Sequence, residues 1–365
     1  MKKVQPDKMA DHQNKIVNTL CPQQQAVLSA FKATTQQVFV TGAGGFLGKA
    51  ICQWLRHANI KVVGFARGDY PALTALGVTM IKGDLNNQQA LLKAMAGCDV
   101  VFHVASKAGV WGDKQSYFEP NVSGTENIIN ACHAHHISRL IYTSTPSVTF
   151  SGQDEDGINE SQPYATRFLN FYALSKALAE KKVLNSNSPV LKTVALRPHL
   201  IWGPGDRHLV PRVLDRAIAG KLKLVGKTDK LVDTIYIDNA VYGHLLAAVE
   251  LANTTAKCAG KAYFLSNDEP IFMADMINKI LACKNLPPVT KRVPASVAYA
   301  LGTFLEWLYL ALRKQDEPIM TRFVAKQLST AHYFDISAAK HDFDYKALVN
   351  INEGMARLKM ALNDT

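Results

Sequence analysis

A glycine-rich turn caught between an apolar strand and a helix constrains this chain more than any other feature. Val38-Phe39-Val40 reads as a buried strand and runs into Thr41-Gly42-Ala43-Gly44-Gly45-Phe46-Leu47-Gly48, after which residues 46–57 carry helical periodicity. Gly42, Gly45 and Gly48 fall three apart. At a strand-to-helix junction this spacing gives a tight turn and lets the backbone approach a pyrophosphate. It also leaves a helix N-terminus whose free N–H groups and dipole hold the anion. Glycine spacing alone is weak evidence; the strand before it and the helix after it give it meaning.

The rest of the chain agrees with an α/β fold. Apolar runs at 61–66, 78–81, 99–104, 140–143 and 192–196 alternate with helical segments at 88–96, 123–135 and 172–184. That pace means right-handed βαβ units and a parallel sheet covered on both faces. The expected fold is a Rossmann-type doubly wound parallel sheet with a smaller C-terminal substrate-binding region. The expected divisions are an N-terminal extension over 1–35, a dinucleotide-binding domain over 36–202, and a substrate-binding region over 203–365, of which about 232–252 returns to the core. The extension is rich in Gln, Lys, Asn and Asp and reads as a solvated arm, with a short helix near 23–32.

Composition excludes other classes. Of 365 residues, 48% are hydrophobic and 19% charged, which rules out wholesale disorder. The net charge of +11 points to an anionic partner, but no Arg/Lys tract appears, so nucleic acid is not expected. Six scattered cysteines with no C-x-x-C pair argue against a disulfide framework or a zinc site, and no metal is expected. His133, His135 and His136 read as a solvated helix end. The N-terminus lacks the apolar run of a signal peptide, so a cytoplasmic protein is expected.

Two further places carry chemistry. An NAD-preferring site sets an acid at the end of the second strand to bind the ribose hydroxyls; here that place is Ala66, followed by Arg67. A guanidinium without a neighbouring carboxylate suits a 2′-phosphate, so NADP(H) is the expected cofactor. Tyr172-Ala173-Leu174-Ser175-Lys176 opens a helix and puts a phenol and an ammonium on one face, one turn apart. The cation is expected to lower the phenol pKa and make Tyr172 a proton donor. Upstream, Tyr142-Thr143-Ser144-Thr145 offers hydroxyls at a strand's carboxyl end.

These motifs resemble the short-chain dehydrogenases/reductases. Tyr172-x-x-Ser175-Lys176-x-x-Ala179-Glu180, Asn121-Val122-Ser123-Gly124-Thr125-Glu126-Asn127 and Leu196-Arg197-Pro198-His199-Leu200-Ile201-Trp202-Gly203-Pro204-Gly205-Asp206 resemble the extended, 3β-hydroxysteroid dehydrogenase-like branch. The resemblance runs from about Val38 to the C-terminus. It implies catalytic roles for Tyr172 and Lys176, for Thr145 with Ser144 as second choice, and for Asn121, which would order the active-site helix. It implies cofactor contacts at Gly42, Gly45, Phe46, Leu47, Gly48, Arg67, Asp84, Leu85, Ala105, Tyr172, Lys176 and Pro198, and a homodimer through the helices near 125–135 and 172–184. Within the branch, residues 105–112 and 142–148 look most like bacterial reductases of long-chain β-keto acids in olefin biosynthesis. The implied substrate is thus a 2-alkyl-3-oxoalkanoate, and the implied partners are other enzymes of that pathway. The rival readings are a sterol or hydroxysteroid dehydrogenase and, from another class, a non-catalytic NADP(H)-sensing protein. His199 and His208, beside the G-P-G-D loop, are weaker candidates for substrate contact.

Residues 294–312 are nearly apolar, interrupted by Glu306 and followed by Arg313 and Lys314. A membrane span, a buried helix and a helix that lines a substrate channel or skims a membrane surface all fit this pattern. The expectation adopted is a lid that receives substrate tails at Phe304, Trp307 and Leu308.

Overall fold

The computed structural model describes residues 20–364. Helix α1 (Pro22–Ala33) precedes strand β1 (Gln37–Thr41) and helix α2 (Phe46–His57); then come β2 (Lys61–Ala66), β3 (Thr79–Lys82), α3 (Gln88–Met95) and β4 (Val100–His103). They are followed by α4 (Gly124–Ala134), β5 (Arg139–Thr143), α5 (Phe171–Asn185), β6 (Lys192–Pro198), α6 (Ile237–Glu250) and β7 (Lys261–Leu265). The seven strands form one sheet in the order β7-β6-β5-β4-β1-β2-β3, and every pairing in it is parallel. The strand order reverses between β1 and β4, which opens a crevice at their carboxyl ends.

The inner strands read as nearly unbroken apolar runs because both faces are buried; β3, at the edge, is only partly covered. Val38, Val40, Val100, Phe102 and Ile141 point into one core, shared with α2 and α6. Phe39, Val63, Phe65, Val101 and Leu140 alternate with them into the other, shared with α3, α4 and α5. This is the doubly wound α/β sheet expected from the sequence. A separate four-stranded sheet is built from Ile271–Phe272, Leu231–Val232, His332–Phe334 and Glu155–Ile158, in that order. It draws its last strand from ahead of α5.

The described part of the N-terminal extension is not a solvated arm. Val27, Leu28 and Phe31 of α1 are buried, and the helix packs against α6. Arg139 fastens its end: the guanidinium donates to the Thr34 carbonyl at 2.6 Å and to the Thr35 hydroxyl at 3.0 Å, and to the Ala248 carbonyl at 3.2 Å. A buried arginine without these acceptors would be strongly destabilising, so helix and arginine need each other. Val27→Ala, which removes two buried methyl groups, is expected to lower unfolding free energy by about 2 kcal/mol, measured by urea denaturation. A solvated arm would show no change.

Candidate active site

The turn after β1 is built as its sequence demands. Gly42 has φ +64°, and a Cβ there would lie 2.9 Å from the Ala105 Cα. At Gly48 a Cβ would come within 2.2 Å of the Gly42 carbonyl oxygen, so α2 meets the turn closely only as glycine. The N-cap of α2, Gly45, supplies no capping side chain, which leaves the first-turn N–H groups available to an anion. Beside this turn lies a cleft of about 180 Å³ lined by Gly42, Gly45, Ala66, Arg67, Asp84, Leu85 and Ala105, together with Tyr70 and Lys107. Tyr70 and Lys107 were not picked out from the sequence. Of the other expected cofactor residues, Phe46, Leu47 and Gly48 form the first turn of α2, with Leu47 in the core. Pro198 is buried at the end of β6 opposite Leu265 and does not line this cleft.

A buried relay fixes the cleft wall. Thr41 Oγ1 accepts from the Val104 and Ala105 amides at 3.1 and 3.0 Å and lies 2.8 Å from His103 Nδ1. His103 Nε2 lies 2.9 Å from Thr125 Oγ1, whose proton goes to the Asn121 carbonyl. With both hydroxyls committed, Thr41 donates to Nδ1 and the imidazole donates from Nε2. Burial, with Lys176 nearby, pushes His103 down to about 3, so the ring stays neutral and holds this polarity.

Asn121 lies in a π-helical turn, Glu119–Ser123, just ahead of α4; such turns recur at functional sites. Its side chain accepts from the Lys107 amide at 2.7 Å and donates to the Lys107 carbonyl at 3.0 Å and to Ser175 Oγ at 2.9 Å. Ser175 in turn donates to the Tyr172 carbonyl at 2.8 Å. The residue thus ties the loop after β4 to the first turns of α5.

Asn170 caps α5 by accepting from the Ala173 amide at 2.8 Å, which starts the helix one residue ahead of Tyr172. Burial pushes the Tyr172 phenol up to about 12, outweighing the Thr145 hydroxyl, which donates to Ser147 Oγ at 3.3 Å and favours ionisation of the phenol. Lys176 is 2% exposed; its Nζ donates to the Thr143 carbonyl at 2.6 Å and sits 4.1 Å over the Tyr142 ring. Burial lowers it to about 7 against the pull of the Glu180 carboxylate. The expected lowering of the phenol by its lysine is therefore not found in this geometry: the ammonium is spent on Thr143 and Tyr142, and desolvation governs both groups. Of the two hydroxyls, Thr145 and not Ser144 acts on the phenol; the Ser144 hydroxyl is buried and has no hydrogen-bond partner.

Two cavities flank this centre and share Val110. The larger, about 800 Å³, runs between Val110–Asp113, Phe168–Phe171 with Leu174, and the end of helix α7 (Ala295–Ala311), where Tyr309 and Leu310 line it. The smaller, about 230 Å³, is mostly apolar and is lined by Val110, His199, Leu209, Val213, Leu224, Ile277 and Phe323, among others. His199 is buried, held by the Asp233 carbonyl at 2.7 Å and driven down to about 3; His208 is exposed at the start of the following helix. Phe304 and Trp307, expected to receive tails, instead face solvent. Glu306 points inward, taking hydrogen bonds from the Arg322 amide at 2.6 Å and Nε at 2.7 Å, and this rotates Phe304 and Trp307 away from the cavity. Among the described residues no helix is long and apolar enough to cross a membrane, and no three His, Cys, Asp or Glu side chains gather where they could hold a metal ion.

Comparison with known proteins fits this geometry. A 2-alkyl-3-oxoalkanoate reductase of Shewanella oneidensis is 66% identical over 94% of this chain and 91% of its own length. A mouse sterol-4-alpha-carboxylate 3-dehydrogenase, decarboxylating, is 35% identical over 87% and 88%. Among solved structures, the UDP-glucuronic acid 4-epimerase of Bacillus cereus in complex with NAD shares the fold with a TM-score of 0.70, at 21% identity, covering 90% of this chain and 99% of that one. The profile of the 3-beta hydroxysteroid dehydrogenase/isomerase family matches residues 39–288. The chain belongs to the 3-beta hydroxysteroid dehydrogenase/isomerase family.

Proposed function

We propose that this protein reduces the 3-keto group of a long-chain 2-alkyl-3-oxoalkanoate to the 3-hydroxy acid with NADPH. The observation that carries the reading is the nearness of the Tyr172 and Thr145 hydroxyls past the carboxyl end of β5, on the side of the sheet where the glycine-turn cleft opens. The name of the 66% identical relative supplies the substrate; the sterol reading rests on a relative at 35%.

The residues fit a nicotinamide dinucleotide. The glycine turn and the uncapped start of α2 suit its pyrophosphate, and Arg67 with no acid at the end of β2 suits a 2′-phosphate. When bound, the reduced nicotinamide supplies the hydride. Tyr172 gives its proton to the ketone oxygen as charge develops there, and a phenol at about 12 is fully protonated for that task. Thr145, whose hydroxyl acts on that phenol, would stabilise the same oxygen. Lys176 would hold the cofactor ribose, and Asn121 keeps the start of α5 against the loop that walls the crevice. Two tails leaving adjacent carbons of the substrate suit two cavities that meet at Val110.

The test is a panel of 2-alkyl-3-oxoalkanoates of graded length alongside ketosteroids, followed by NADPH consumption. Turnover of the keto acids and not the steroids is expected; tight NADPH binding with no turnover of either would turn the reading to a sensor. Arg67→Ala is expected to reduce kcat/KM for NADPH about 10- to 100-fold and leave NADH unaffected, the scale of one charged hydrogen bond. Equal use of both cofactors by the wild type would overturn the NADPH assignment. A homodimer through α4 and α5, and hand-over to other enzymes of the pathway, belong to the same reading and are tested by sedimentation and by co-purification.

A further inference from the structure

The loop after β4 sets a half-buried ammonium, that of Lys107, at the corner between the dinucleotide cleft and the larger cavity. The residue lines the cleft, and its Nζ reaches toward the cavity wall. It donates to Ser116 Oγ at 2.6 Å, lies 4.7 Å from the centre of the Tyr117 ring, and would be 3.5 Å from a Cβ at Gly112. Tyr117 and Gly112 both line the larger cavity, and the Tyr117 ring lies 6.4 Å from that of Tyr172. One ring therefore stands between this ammonium and the proton donor. The position is fixed from two sides. Asn121 clamps the Lys107 backbone, taking its amide at 2.7 Å and donating to its carbonyl at 3.0 Å, and Ser116 is anchored by donating to the Asp113 carbonyl at 2.8 Å. An ammonium has three N–H donors, yet among the described residues Nζ makes one hydrogen bond and no ion pair. The acids that act on this corner are engaged elsewhere. Asp113 takes the Ser116 amide at 2.9 Å, and Glu317, which acts on Tyr117, pairs with Arg212.

We propose that Lys107 receives the carboxylate of the substrate and so selects a 3-keto acid over a neutral ketone. The inference rests on the proposed reduction, which supplies the identity of the anion. In a 2-alkyl-3-oxo acid the carboxylate is joined to C2, next to the ketone carbon. With the ketone oxygen at the Tyr172 phenol, the carboxylate must therefore lie close to that phenol, and the cation it meets must be close as well. Lys176 is spent on the Thr143 carbonyl, and Arg322 is held by Glu306. Arg313 and Lys314 line the cavity too, but they are exposed on the segment that follows α7. Lys107 is half-buried and already placed, and its unspent donors can serve a carboxylate with the Ser116 bond intact. The substrate would then be held at two points, ketone on Tyr172 and carboxylate on Lys107, which leaves its two tails for the two cavities.

The experiment is calorimetric binding of decanoate and of decanol to the full chain in the presence of NADP+. Decanoate should bind the wild type about 10- to 100-fold more tightly than decanol, the scale of one charged hydrogen bond. Lys107→Met should remove that difference while leaving decanol binding and NADPH affinity unchanged, and Lys107→Arg should keep most of it. In turnover, Lys107→Met should raise KM for a 2-alkyl-3-oxo acid by about 10- to 100-fold and leave KM for its methyl ester unchanged. Equal losses for acid and ester would show a structural role, and a loss confined to NADPH affinity would show a contact to a cofactor phosphate; either overturns the proposal. So would a wild type that does not prefer decanoate, or a preference that survives Lys107→Met, which would place the anion on Arg313 or Lys314. A wild type that prefers decanoate through Lys107 yet reduces neither acid nor ester would overturn the proposed reaction and leave the carboxylate site standing.

Discussion

Tyr172→Phe is expected to lower kcat for reduction by about 10²- to 10⁴-fold, the usual contribution of a positioned proton donor. The ring should stay where it is: it lies 6.4 Å from the Tyr117 ring, and its backbone carbonyl, not its hydroxyl, receives the Ser175 bond that ties α5 to Asn121. Folding and NADPH affinity should therefore be close to wild type, and the loss should fall on kcat more than on KM. Thr145→Ala tests the partner. It removes the hydroxyl that favours ionisation of the phenol but leaves the proton donor in place, so its loss should be smaller than that of Tyr172→Phe. The two losses should not add, because both groups act on the same oxygen. A Tyr172→Phe enzyme with more than about a tenth of wild-type kcat would mean that another group donates the proton.

How much of this was legible in the sequence follows from which interactions are local. Six of the seven strands, all but β7, were readable because parallel strands in a covered sheet are nearly continuously apolar, and the glycine turn because Gly42 has a positive φ and Gly48 meets the Gly42 carbonyl six residues back. Tyr172 and Lys176 were readable because helical spacing alone puts them on one face. Three further things were not. The burial of α1 depends on Arg139, more than a hundred residues away, which supplies donors to its last carbonyl and hydroxyls. The orientation of α7 depends on Arg322: a helix apolar on nearly every side gives no periodic signal, and the inward pull on Glu306 decides which side meets solvent. The protonation of the Tyr172–Lys176 pair depends on burial and on the Thr143 carbonyl, neither of which spacing reveals. The choice between Ser144 and Thr145 is of the same kind, since neighbours leaving a strand point in opposite directions and only the packing says which faces the phenol.

Glu180→Gln is expected to act twice, on stability and on the pH profile. Glu180, one helical turn beyond Lys176, is fully buried and paired with Arg197, which is 4% exposed at its side chain. Arg197 Nη2 reaches Glu180 Oε1 at 2.5 Å, Nε reaches Oε2 at 3.1 Å, and the Tyr164 hydroxyl donates to Oε1 at 2.8 Å. Removing one charge of a buried pair leaves the other unpaired and destabilises by about 3–5 kcal/mol, measurable by urea denaturation. The same carboxylate holds up the pKa of Lys176, which burial has brought down to about 7. Lys176 is an ammonium below that pH and loses its proton as pH rises through it, so kcat/KM, which reports the free enzyme, should fall on the alkaline side of about 7 if the ammonium is the working form. Without the Glu180 charge that limb should move to lower pH. Arg197→Met separates the two effects: it breaks the same pair and destabilises comparably, but leaves the carboxylate facing Lys176, so its limb should not move down. If Glu180→Gln leaves the limb where Arg197→Met leaves it, Glu180 serves packing alone and the protonation of Lys176 is set by burial and the Thr143 carbonyl.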